Sequence, residues 1–264
     1  MKTGKRAIVA AFVIFLLLCP LTYAEETSGT KNWEFALAPL YLWMAGLDGD
    51  MTVKGLTQSV ELPFDEIFDS LEAAFTFHFE GLYKKRWGFF LDFNYINVKE
   101  SQTAPGPFKA NIEVDFENKM SEMGVIFRFH EEGPHILEAL GGARFTNLET
   151  GIVISSTPPP PTQVIAGDQN WWDPIIGLRY KWQISDKWKF SLRGDVGLGF
   201  GAGDTSDTTW NAIGLIDFQP WKHVGFIGGY RALDVDYETG SGINQFKYDI
   251  LMHGPLFAIK FTWD

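Results

Sequence analysis

The chain has 264 residues with 22 Lys and Arg against 33 Asp and Glu, a net charge of -11 that excludes a nucleic-acid partner, since binding a polyanion needs clustered cations. Phe, Trp and Tyr make up 16% of it (23, 10 and 8), more aromatic surface than a soluble core of this length needs. A single cysteine, Cys19, rules out an intrachain disulfide.

Residues 1–24 read as a cleaved secretory signal peptide. Lys2, Lys5 and Arg6 are followed by an apolar run from Ala7 to Leu18, and Thr22-Tyr23-Ala24 sets small residues at the cleavage positions. The run is too short to span a bilayer as a helix, and Leu18 before Cys19 is too large for a lipoprotein signal. Residues 25–264 are read as one domain. No later segment approaches 18 apolar residues, so a helical membrane protein is excluded.

From residue 33 onward the period is two. The spans 33–44, 72–83, 87–99, 119–130, 135–152, 171–182, 187–200, 208–218, 223–237 and 247–263 alternate apolar with small or polar residues. In the third span Trp87, Phe89, Leu91, Phe93 and Tyr95 oppose Gly88, Phe90, Asp92, Asn94 and Ile96. In the fourth, Met123, Val125 and Phe127 oppose Glu122, Gly124 and Arg128. Asp50–Leu62 and Lys109–Asn118 alternate in part, so they are either sheet beyond the membrane or two further strands.

Period two fits a half-buried soluble sheet or a lipid-facing barrel. Here the minority face is rich in Gly with isolated charges in mid-strand, as a barrel lumen requires. Trp and Tyr gather at span ends, among them Trp33, Trp43, Trp87, Trp182, Trp188 and Trp263, as interfacial girdles do. Connections alternate between short and long, which sets the short turns in the periplasm. The expected fold is all-β: an antiparallel up-and-down transmembrane β-barrel of about ten strands, with twelve or eight as alternatives.

The charges of lumen parity are Glu80, Asp92, Arg128, Glu138, Arg144, Arg179, Arg193, Asp195, Arg231 and Lys260. Two readings stand: an ion-paired filling of a narrow interior, or the lining of an aqueous pore. Ten strands lie between the filled eight-stranded barrel and the open porin. No nucleophile motif is present, so no catalytic residue is assigned and the chain is read as a non-enzyme. His130, His135 and His223 fall at turns, which leaves His78, beside Glu80, and His253 as the only residues to test for catalysis. Pro63–Asp69 reads as one amphipathic turn. Its Asp65, Glu66 and Asp69 are a solvated acidic face rather than a metal site, which needs about six or more oxygens. Pro158–Pro161 makes a stiff loop. No cofactor and no metal are expected.

The segments Tyr41-Leu42-Trp43-Met44-Ala45-Gly46-Leu47-Asp48-Gly49-Asp50, Trp172-Asp173-Pro174-Ile175-Ile176-Gly177-Leu178-Arg179-Tyr180 and Gly229-Tyr230-Arg231-Ala232-Leu233-Asp234-Val235-Asp236-Tyr237 resemble a family of uncharacterised Gram-negative outer-membrane β-barrel proteins. Arg193-Gly194-Asp195-Val196-Gly197 and His253-Gly254-Pro255-Leu256 extend that likeness over nearly the whole of residues 25–264. The resemblance implies an outer-membrane location, with lipid and the barrel assembly machinery as partners, and no transferable reaction. The oligomeric state stays open. On this basis the expected role is structural or a narrow passage for small solutes. An open, porin-like diffusion pore and an enzyme acting on lipid or peptide are the alternatives.

Overall fold

In a computed structural model, residues 32–103, 111–155, 163–197, 199 and 205–264 are described. The signal segment 1–24 and the loop Pro158–Pro161 lie outside them. The alternating spans form thirteen strand segments: β1 (Trp33–Ala38), β2 (Tyr41–Trp43), β3 (Gly46–Val53), β4 (Leu56–Leu62), β5 (Leu71–Tyr83), β6 (Trp87–Thr103), β7 (Asn111–Glu132), β8 (His135–Ser155), β9 (Gln163–Gln183), β10 (Trp188–Gly197), β11 (Thr208–Phe218), β12 (Val224–Thr239) and β13 (Phe246–Trp263). A six-residue helix, α1 (Phe64–Asp69), follows β4 and buries Ile67.

From β5 to β13 each strand pairs antiparallel with the next, and β1 closes the ring by pairing with both β5 and β13. The result is a closed ten-stranded barrel in which β1 and β2 share one crossing. Closure pairs the strands all round the inner part of the wall, the condition for crossing lipid with strands, and leaves an interruption between β2 and β5 above His78.

Two ambiguous stretches resolve here. Asp50–Leu62 belongs to the β3–β4 hairpin, which continues the first crossing along β13 above the membrane. Lys109–Asn118 overlaps the outer end of β7, from Asn111. Neither adds a crossing. The first predicted span is not continuous: it breaks at Pro39-Leu40, where proline has no N–H to give a ladder.

Outside the barrel, Phe75, Val125, Ile176, Leu178, Leu192 and Phe257 are among the large apolar side chains left exposed in a belt. Such a surface is stable only against lipid. Aromatic pairs rim it: Trp87 with Phe127 at 4.4 Å, Trp188 with Phe218 at 4.5 Å and Phe145 with Trp172 at 4.7 Å between ring centroids. Trp43 is not in this rim. Its partner across the ladder is Leu256, which is buried inside the barrel, and its ring lies 4.6 Å from the Arg231 guanidinium. The break before β2 carries Trp43 inward, which span-end position alone does not reveal.

The β5–β6 turn is tight. Arg86 N–H donates to Tyr83 O at 3.0 Å, and Lys84 and Lys85 take φ of 48° and 55°, the two positive values that a type I′ turn needs.

Candidate functional site

Period two sends every second side chain of each crossing into the lumen, and these side chains fall into layers. Nearest the short-turn end, Glu138 on β8 accepts hydrogen bonds from Arg179 Nε at 2.7 Å and Arg128 Nη2 at 3.0 Å, with Lys181 Nζ 3.2 Å away. Arg179 also reaches from β9 to β5, where its Nη1 and Nη2 donate to the two Glu80 oxygens at 2.7 and 2.9 Å. A small apolar layer comes next, of Phe90, Ile126, Leu140 and Ile175. Gly124 makes room for it, since a Cβ there would stand 2.6 Å from the Phe90 ring.

Above lies a second cluster. Glu122 on β7 accepts from Arg144 Nε at 3.0 Å, Arg193 Nη2 at 3.0 Å and Arg231 Nη2 at 2.7 Å. Asp195 accepts from Arg144 Nη2 at 2.7 Å and Asn211 Nδ2 at 2.8 Å, and Arg193 Nη2 is 2.9 Å away. Arg231 Nε donates to Asn211 Oδ1 at 3.0 Å, and the Arg193 guanidinium lies 4.8 Å from the Phe90 ring. Asp92 joins this cluster to β2 and β5, accepting from Tyr41 Oη at 2.8 Å, with Arg231 Nη1 3.8 Å away and His78 Nδ1 at 3.0 Å. Glu122, Glu138, Arg144 and Arg231 are almost wholly buried. Charges removed from water to this degree hold only when each has opposite charges and hydrogen bonds around it.

Of the ten charges of lumen parity, nine sit in these two clusters. Lys260 stands apart and pairs with Asp217, from β13 to β11. Glu122, the hub of the upper cluster, was not among the ten, although its parity matches that of Arg128 on the same strand. Lys181, Tyr41 and Asn211 were also missed. A parity argument limited to charged residues does not reach Tyr41 or Asn211, and Tyr41 lies beyond the strand break.

The two histidines singled out are on opposite faces of the wall. His78 points inward with Nδ1 on Asp92 and Nε2 3.9 Å from Glu80, so both ring nitrogens face carboxylates. His253 points outward and bonds the Tyr230 hydroxyl at 2.6 Å. They do not combine into one site. Among the described residues no cluster of His, Cys, Asp and Glu has the arrangement of a metal centre.

Toward the long-loop end the lumen changes character. Met120, Leu148, Trp171, Leu233, Tyr237 and Tyr248 are part of one buried apolar cluster. Trp171 and Tyr237 stack at 4.2 Å with planes 10° apart. The underlying pattern is an inversion of parity within single strands. On β12, Phe226 faces lipid and Arg231 faces the lumen; eight residues beyond Phe226, Asp234 has the outward parity while Leu233 and Val235 are buried.

No family model matches the chain, and no curated relative does. Solved structures do. The outer membrane protease OmpT from Escherichia coli superposes with a TM-score of 0.55 at 9% identity, covering 90% of this chain and 99% of that one. The translocator domain of the autotransporter NalP from Neisseria meningitidis gives 0.46 at 10% identity, over 98% and 97%. At such identities the likeness concerns the fold alone. The closed barrel, with its lipid-facing belt and the fold it shares with OmpT, makes the chain an integral β-barrel protein of the bacterial outer membrane.

Proposed function

We propose that this outer-membrane barrel is sealed, with its lumen charges serving as a structural core, and that it passes neither ions nor small polar solutes. The observation that carries this reading is the pair of links across the bore: Arg179 on β9 to Glu80 on β5, and Arg231 on β12 to Glu122 on β7. A permeating ion would have to displace a guanidinium from a carboxylate in a dry interior, where each unpaired partner is strongly disfavoured. The same links argue against a narrow passage as well as an open pore.

The reading is also non-catalytic and free of cofactor. His78 is held between two carboxylates and has no nucleophile among its hydrogen-bond partners in the described residues, whereas acid–base catalysis needs the base within reach of the group it deprotonates. Its partners are the lipid around the belt and, during biogenesis, the barrel assembly machinery.

Single-channel recording in planar bilayers tests the seal. Barrels whose folding has been checked by heat-modifiable gel migration are expected to give no discrete conductance steps. Steps in the native protein that change ion selectivity on Arg231→Ala would replace this reading with the pore.

A further inference from the structure

Above the charged layers, on the side of β2–β4, lies a cavity of about 740 Å³. That is within the roughly 300–1,000 Å³ typical of small-molecule sites. Tyr41 and Trp43 contribute to its floor, the one bonded to Asp92 and the other lying over Arg231, so they separate it from the charges below. Its walls are apolar, with Met51, Val60, Met120 and Ile250 among them, and α1 contributes Phe64 and Ile67.

This cavity is continuous with the lipid-facing surface. Leu40, Leu42 and Phe75 line it and are also among the exposed side chains of the outer wall. The reason is a gap in the ladder. β5 pairs with β1 only as far as Ala38–His78, and β2, β3 and β4 pair with β13 or with each other. Just above the gap's lower end the Thr76 side chain bridges to the Tyr41 backbone, as acceptor from N–H and donor to C=O. Among the described residues no strand pairs with the outer side of β4; on β6, Lys99 N–H still donates to Ser70 O at 3.0 Å, and Glu100 to Thr103 pair with β7.

Two observations define what fits. Among the described residues the charged ones of the lining are Glu66 and Asp115, and Lys99 is 2.9 Å from Asp115. An anionic head group therefore meets the Glu66 carboxylate and, at Asp115, a carboxylate whose charge Lys99 already offsets. Deeper in, Asn118 is buried and lines the cavity, and its Oδ1 has no hydrogen-bond partner among the described residues; nor does Trp43 Nε1. A buried acceptor and a buried donor left open are costly unless something supplies the matching group.

We propose that this cavity is a binding site for an uncharged lipophile carrying a hydroxyl, such as a long-chain alcohol, that enters sideways from the outer leaflet through the gap between β2 and β5. The hydrocarbon chain lies along Met51, Met120 and Ile250, and the hydroxyl pairs with Asn118. The proposal goes beyond the sealed lumen and does not depend on it, since a barrel that leaked ions through its charged layers would keep the cavity.

The test uses the full-length barrel in phosphatidylcholine nanodiscs with a hexadecanol bearing a mid-chain diazirine, and maps the adducts by mass spectrometry after irradiation. Adducts are expected on Met51, Met120 and Val60 in preference to belt residues such as Leu178 and Ile259. Excess unlabelled hexadecanol should remove the cavity adducts and spare those on the belt. The diazirine hexadecanoate at pH 8 should label the cavity less, by about tenfold, the scale of one unfavourable polar contact. Asn118→Leu should cut labelling by the alcohol about tenfold and leave a diazirine hexadecane unchanged. Leu42→Trp, at the exposed mouth of the gap, should slow labelling and leave Asn118 and the deeper walls in place. Cavity labelling no denser than belt labelling, or unresponsive to competitor, overturns the site. Equal labelling by the carboxylate overturns the assignment of an uncharged ligand. Conductance of the same purified protein in planar bilayers reports separately on the seal.

Discussion

The two halves of the lumen are built from the same ten strands and solve opposite problems. The inner half fills its bore with arginines and carboxylates whose hydrogen bonds run from wall to wall, as from Arg179 to Glu80. The outer half is filled by apolar side chains such as Leu148, Trp171 and Leu233, and keeps a cavity beside them. Paired charges are specific in position and intolerant of a missing member, whereas apolar packing tolerates an empty space at a cost that grows with its volume. The half that blocks passage is thus the rigid one, and the half able to accept a guest is the one without directional bonds.

The largest effect that separates the halves is expected at Glu122. Glu122→Ala leaves Arg144, Arg193 and Arg231 without a shared acceptor and should destabilise the barrel by about 3–5 kcal/mol. The measurement is the urea midpoint of unfolding in lipid vesicles, and a shift below 1 kcal/mol would contradict the account of the upper cluster. In the outer half, Leu148→Ala removes a fully buried side chain and should cost about 2–5 kcal/mol, through a cavity rather than through charge. Its loss should be insensitive to salt and pH. Replacing both members of a link, Arg179→Met with Glu80→Leu, should cost far less than either change alone, because no charge is left unpaired. A double-mutant cycle reads that coupling. At the rim, Trp188→Ala forfeits the contact with Phe218, worth about 0.5–1.5 kcal/mol beyond its buried area. Smallest of all, Lys119→Ala breaks exposed pairs with Glu117 and Glu149 on the outer surface and should change stability by less than about 1 kcal/mol.

Much of the wall was legible because alternation is a local property. Trp87 to Tyr95 and Trp188 to Val196 declare their faces within a few residues, and the limits at the short turns follow closely, whereas β7 and β9 begin eight residues before the expected 119 and 171. Which charges meet is a different matter. Arg231 and Glu122 are 109 positions apart and join only because the barrel closes, which no spacing along the chain encodes. Trp43 misled for a related reason: its place near a span end suggested a girdle, but the break at Pro39-Leu40 resets the face that follows. The apolar outer lumen has its own mark in the sequence. On β13, Phe257 and Ile259 have outward parity, whereas Phe246, Tyr248 and Ile250 are buried on the inward one, and Lys247 and Asp249 take the outward positions. A strand that exchanges its apolar face part-way along has left the bilayer and begun to pack on itself.

The links across the bore also have a mechanical meaning. A thin cylinder of strands flattens easily when squeezed from the side, since bending its wall opens no backbone hydrogen bond. Struts fixed across the diameter resist that flattening, and Arg179 with Glu80 and Arg231 with Glu122 are such struts at two heights. Above them, among the described residues, the ring is spanned by apolar packing without ion-paired struts and is interrupted between β2 and β5. Compression by the surrounding leaflet should therefore change the outline of the outer mouth while the inner half keeps its round section.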